Sequence, residues 1–305
     1  MILKTKYISL LLAAVFSSLS LSAQTMPSLM LGQDPASLAL GMTGVASDGT
    51  AFALQNNVAA IALGKQTLDA QAGMGIWQPS YANLKTIGGG AIYRTGRLGL
   101  GLDFKTLKMP TYTGVSGSGA DIRDSEFTPT EMNLAAGASY ALMDFLSAGV
   151  TLRYASSKLA ADAQAAVFGA DVAVYYKNDG IRAGLSVNNI GSKVQYSETS
   201  YSQPMMAKIG GGYDIVLGSS ALAFNAEVDV LFAGGIMAGA GCEYSFKEMV
   251  CARVGYHYGN SVNVLPSCAT AGLGLKLFGA SLNLSYLFGS EVLSNSMCLS
   301  LGYTF

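Results

Sequence analysis

Residues Ser296 to Phe305 read Ser-Met-Cys-Leu-Ser-Leu-Gly-Tyr-Thr-Phe. Met297, Leu299, Leu301, Tyr303 and Phe305 make one apolar row; Ser296, Cys298, Ser300, Gly302 and Thr304 make a small, mostly polar one. Alternation with a period of two is a strand with two unlike faces. Left as a free edge and tipped with an aromatic ring, such a strand invites aggregation. Pairing it with the first strand of a closed membrane barrel removes the edge, turning the apolar row to lipid and the small row to the lumen.

Composition supports that reading. Half of the residues are hydrophobic and only 12% are charged, against roughly 25% charged in soluble domains. No continuous apolar run reaches the ~18 residues of a membrane helix, so the apolar residues must be interleaved with small and polar ones. A soluble sheet of this size with so few surface charges would precipitate. The net charge of −1 gives no electrostatic case for a nucleic-acid partner. Near the other end, Lys4 and Lys6 precede an apolar run from Ile8 to Phe16 and then Leu21-Ser22-Ala23-Gln24. That pattern predicts a signal peptide over residues 1–23, cleaved before Gln24. Residues 24–67 lack strand alternation and are expected to form a short helical or looped hatch inside or beneath a barrel of residues 68–305.

From Leu68 onward the period of two predicts an all-β fold, a transmembrane antiparallel barrel of about fourteen strands with this N-terminal hatch or plug. The expected strands are 68–79, 85–95, 97–108, 126–142, 146–157, 165–177, 180–192, 203–216, 220–232, 235–246, 249–259, 267–278, 280–289 and 295–305. Connections alternate in length, with tight turns such as Thr95-Gly96-Arg97 and Asn178-Asp179-Gly180 and long links such as Lys108–Ser125 and Gly191–Gln203. An even strand count puts both termini and the tight turns on the periplasmic side. Ala233, Gly234 and Gly235 stand where an outer loop is expected, so the rim should be low there and could receive a partner or a lateral exit.

Parity sends fifteen charged side chains to the lumen: Arg94, Asp103, Lys105, Glu131, Arg153, Asp171, Lys177, Arg182, Lys208, Asp214, Glu227, Asp229, Glu243, Arg253 and Lys276. Eight are cationic and seven anionic, so they can pair into a structural network or line a selective filter. The single histidine, His257, lies among Gly255-Tyr256-His257-Tyr258-Gly259 near the outer end of its strand. No serine, aspartate or metal-ligand pattern accompanies it, which predicts an interfacial rim residue and not an enzyme. Cys242 faces lipid and Cys251 the lumen, while Cys268 and Cys298 both face inward with a strand between them, so all four are expected as free thiols. No metal or other cofactor motif is present.

Asp34-Pro35-Ala36-Ser37-Leu38-Ala39-Leu40-Gly41-Met42-Thr43-Gly44-Val45-Ala46, followed by Ala53-Leu54-Gln55-Asn56-Asn57, resembles the N-terminal signature of the PorV/PorQ family. Pro129-Thr130-Glu131-Met132 and Val187-Asn188-Asn189-Ile190-Gly191-Ser192-Lys193 are similar to further stretches of that family. The resemblance implies a fourteen-strand barrel related to FadL-type transporters, in the outer membrane of Bacteroidetes-type bacteria. It implies a binding or shuttle role in type IX secretion and surface attachment, with cargo C-terminal signal domains or translocon subunits as partners. The alternative it implies is transport of a small hydrophobic compound.

Overall fold

The computed structural model describes residues 26–80, 82–116, 123–160, 163–196, 199–260 and 264–305. The proposed signal peptide lies outside them. Fourteen strands form the wall: β1 (Leu68–Trp77), β2 (Leu84–Thr95), β3 (Leu98–Lys108), β6 (Thr130–Met143), β7 (Leu146–Lys158), β8 (Gln164–Asn178), β9 (Ile181–Gly191), β12 (Met206–Leu217), β13 (Ser220–Leu231), β14 (Ile236–Phe246), β15 (Val250–Gly259), β16 (Cys268–Leu277), β17 (Ala280–Phe288) and β18 (Ser296–Thr304). Each pairs antiparallel with its neighbours, and β1 pairs with both β2 and β18, which closes the barrel. The register of that closure runs from Asp69↔Thr304 to Ile76↔Met297. Beyond it the backbone of Phe305 exchanges hydrogen bonds with Thr67 and Leu68, so the aromatic end of the chain is clamped to the start of the wall.

The outward rows carry large side chains that no protein covers; Leu102 is 65% exposed, Leu152 69% and Phe168 73%. On strands of nine to fifteen residues this is the lipid-facing band of a membrane barrel. The lumen rows alternate with it and bury small, polar and charged groups, among them Asp103, Glu131, Ser147, Thr151 and Asp171.

Two outer links hold hairpins that the periodicity did not separate from the wall: β4 (Tyr112–Ser116) with β5 (Arg123–Phe127), and β10 (Val194–Tyr196) with β11 (Thr199–Tyr201). The expected strand 126–142 therefore starts only at Thr130, and 203–216 only at Met206. Pro129 and Pro204 have no N–H to give to a ladder, so pairing resumes after each. The tight turns and long links fall on opposite ends as expected. Leu231 and Ile236 are joined by a four-residue link in which Gly234 and Gly235 take positive φ (98° and 144°); the rim is low there.

Residues 26–67 thread the barrel interior as a hatch. They hold two short helices, α1 (Pro35–Ala39) and α2 (Ala53–Asn56), and 3-10 turns at Pro27–Leu29 and Val58–Leu63. Their hydrogen bonds reach inward-facing groups on β1, β3, β6, β7, β9, β13 and β16. A buried segment bonded to every side of a closed wall lies inside it.

Candidate functional site

Short side chains let the hatch keep its turns. Asp34 caps α1, accepting from Ala36 N (3.0 Å) and Ser37 Oγ (2.7 Å), with Pro35 at the first helical position; both are standard helix-start devices. Asn57 caps the second 3-10 turn through Ala59 N (3.0 Å), and its amide donates to Val45 O (2.7 Å) and Val174 O (3.0 Å). One asparagine thus ties two hatch turns to β8. Leu54, Val58 and Ile61 pack with Ile92, Ala135, Ala173 and Tyr175 of the wall in a buried apolar cluster. At the outer end Met26 is buried with Ala155, Val167, Val194 and Tyr196, so β10 folds in over the lumen.

The close fit is written in glycine. A Cβ at Gly184 would overlap the carbonyl of Val45, and one at Gly239 the carbonyl of Gly41. Where the hatch backbone touches the wall, no side chain fits between them.

The fifteen predicted lumen charges divide into two sets. Eight bind the hatch, counting Arg94 at the carbonyl of Gln66. Lys105 donates to Leu31 O (2.6 Å), Arg153 to Leu54 O (3.1 Å) and Arg182 to Ala46 O (2.7 Å). Asp103 accepts from Gln55 (2.7 Å), Glu131 from Ser28 N (3.0 Å), and Glu227 from Gly44 N and Val45 N (2.6 and 2.7 Å). Lys177 pairs with the hatch residue Asp48. The second set is held mainly in the wall: Asp171 with Arg153 (2.8 Å), Asp214 with Arg182 (2.6 Å), Lys208 with Glu227 and Asp229 (3.5 Å each), and Arg253 with Glu243. Arg94 reaches the carbonyl of Gln66 (3.4 Å), and Lys276 stands exposed at the periplasmic mouth. Buried charges are costly unless paired or hydrogen-bonded, and here the hatch supplies half of the partners.

Sequence reasoning missed those hatch partners, Asp48, Gln55 and Asn57 above all. Parity orders residues on a strand, whereas the hatch has no period to read. Asp48 sits at the periplasmic opening, half exposed, accepting from Tyr175 Oη (3.0 Å) and Lys177 Nζ. Burial alone would raise its pKa. The adjoining Lys177 ammonium, with Arg182 and the Tyr175 hydroxyl, outweighs this and holds the carboxyl below its ordinary value.

His257 is not the interfacial rim residue expected from its tyrosine neighbours. It is 3% exposed, with Nε2 3.3 Å from the carbonyl of Leu265. The chain after β15 folds back over it, and its strand's inward face is covered by the hatch. The four cysteines are free, and β17 separates Cys268 from Cys298. Hatch and wall together border a cavity of about 80 Å³, lined among others by Met30, Met206, Met237, Lys105, Arg153 and His257.

The family model for the type IX secretion system protein PorV matches residues 20–235. No curated protein matches the chain in sequence. Among solved structures, the Ralstonia pickettii toluene transporter TbuX superposes with a TM-score of 0.64 at 13% identity, covering 90% of this chain and 98% of that one. The Pseudomonas putida toluene transporter TodX gives 0.64 at 13% identity, over 92% and 99%. A Pseudomonas aeruginosa FadL homologue gives 0.54 at 12%, over 90% and 99%. At such identities the likeness is one of fold.

Proposed function

This chain belongs to the PorV family of type IX secretion system proteins, and from that premise we propose that it is a non-enzymatic docking barrel, holding a protein partner at its outer rim. It is an outer-membrane β-barrel of that secretion system. The observation that carries the docking reading is the filled lumen. The hatch is bonded to the wall from Ser28 to Gln66 and roofed by the Val194–Tyr196 strand. A barrel plugged along its length offers its surfaces for work.

The outer surface is uneven. The β4–β5 hairpin stands on the β3–β6 link and the β10–β11 hairpin on the β9–β12 link; the next outer link along the wall, between β13 and β14, is only the four residues Phe232–Gly235. We assign the partner, a cargo C-terminal signal domain or a translocon subunit, to this uneven rim, with the low sector as its seat. The lumen charges serve as the hatch's fastening, and residues 1–23 as a cleaved signal peptide. His257 faces a backbone carbonyl and not a nucleophile, which supports a role without catalysis.

A mild-detergent pull-down of the tagged protein from its native outer membrane, with mass spectrometry of proteins and extracted small molecules, tests this. Recovery of surface proteins sharing a C-terminal domain, or of translocon subunits, is the expected result. A lone barrel carrying an apolar compound would favour the second reading, transport of a small hydrophobic solute. That reading draws on the fold shared with the toluene transporters and on the methionine-lined cavity. A bulky loop inserted at Gly234 should abolish partner recovery; full recovery would remove the low rim from the account.

A further inference from the structure

Three lysines stand in one row on the outside of the barrel. Lys85 of β2 is directly opposite Lys108 of β3, Lys108 is opposite Thr130 of β6, and Thr130 is opposite Lys158 of β7. All four positions share parity with the lipid-facing rows: Lys85 with Ile87, Lys108 with Leu102 and Phe104, Thr130 with Leu134, and Lys158 with Leu152 and Tyr154. The three lysines are exposed, and they lie at the end of the wall that carries the long links. Among the described residues none has a carboxylate within 4 Å, and Lys158 Nζ lies over the Phe127 ring (5.6 Å).

Like charges directly opposite each other on a sheet are destabilising. Lys85 and Lys108 break this rule, and among the described residues no carboxylate offsets them; an external anion would. Below the row, the same sector of wall forms an apolar groove of about 760 Å³. Its floor is small, with Gly89, Ala91 and Ala136, and its ridges are large, with Leu102, Tyr154 and Phe168. Thr106 and Ser156 lie between groove and lysines on the same outward rows.

We propose that this sector is a binding site for a phosphorylated glycolipid of the outer leaflet. Lys85, Lys108 and Lys158 hold its headgroup phosphates, and one acyl chain lies in the groove beneath. The charges sit at headgroup height and the groove at chain depth, which is the order of parts in such a lipid. A juxtamembrane lysine near an anionic leaflet adds roughly a factor of five in affinity, so removing three should weaken binding about a hundred-fold.

The test is native mass spectrometry of the purified full-length chain with lipid A carrying its phosphates and with the dephosphorylated lipid. The expected result is retention of the phosphorylated form only by the native chain, and its loss in Lys85→Gln/Lys108→Gln/Lys158→Gln. Ala136→Phe, which fills the groove and leaves every charge, should also weaken retention and covers the case of a misfolded triple variant. Lys247→Gln, at the periplasmic end, should change nothing. Equal retention of the two lipids, unchanged retention in both groove and lysine variants, or equal loss in Lys247→Gln would overturn the proposal. Complete competition by millimolar inorganic phosphate would overturn it too, since the site would then take a soluble anion.

Discussion

Glu227 accepts two consecutive hatch N–H groups and faces Lys208 while 4% exposed. Charged acceptors in such surroundings contribute more than neutral ones. Glu227→Ala should destabilise the hatch by about 3 kcal/mol, read as earlier protease cleavage within residues 40–50 while the barrel itself stays heat-resistant. Asp48 makes a contact whose strength should depend on pH. Its carboxyl is held below the ordinary value, so its stabilisation is complete above the unfolded pKa of about 3.9. It is lost only as pH falls through the lower folded value. Hatch protection against an acid-active protease should therefore persist to about pH 4 and fail below it. Asp48→Asn should remove that pH step; an unchanged step would assign it to another group. Of these residues, parity could find Glu227 but not Asp48, because a strand row orders its members and a coil does not.

The wall was readable element by element because lipid and lumen impose opposite demands on alternate residues. Leu98, Leu100, Leu102 and Phe104 against Gly99, Gly101, Asp103 and Lys105 leave β3 only one register and one facing. The β4–β5 hairpin was less legible, since Tyr112–Ser116 and Arg123–Phe127 stand beyond the apolar band and are not forced to alternate. The hatch was legible only as a non-strand. Its fit depends on wall glycines whose reason appears once Val45 and Gly41 are seen against them. Gly184→Leu should therefore push the Val45 turn away from β9. In planar bilayers the native barrel is expected to pass negligible current, and the Gly184→Leu barrel to show intermittent openings. Equal, steady conductance in both would mean that the hatch does not seal.

At the scale of the molecule, closure, plug and rim fit the proposed reading of a barrel that docks a partner on its outside. The C-terminal row that decides the fold also clamps the wall shut, through Asp69↔Thr304 and the Phe305 backbone. Deleting Tyr303–Phe305 should prevent a stable barrel, seen as loss of the heat-modifiable band on electrophoresis; a fully folded truncated barrel would place closure elsewhere. The family gives the secretion system, and the filled interior directs attention to the surface proposed to meet a partner. Site-specific photo-crosslinking in native cells tests that most directly, with probes at Tyr112, Gln195 and Phe232 on the outer rim and at Phe278 on a periplasmic turn. The account predicts adducts to a secreted surface protein or a translocon subunit from the rim positions. Protein adducts from Phe278 alone, with none from the rim, would contradict it.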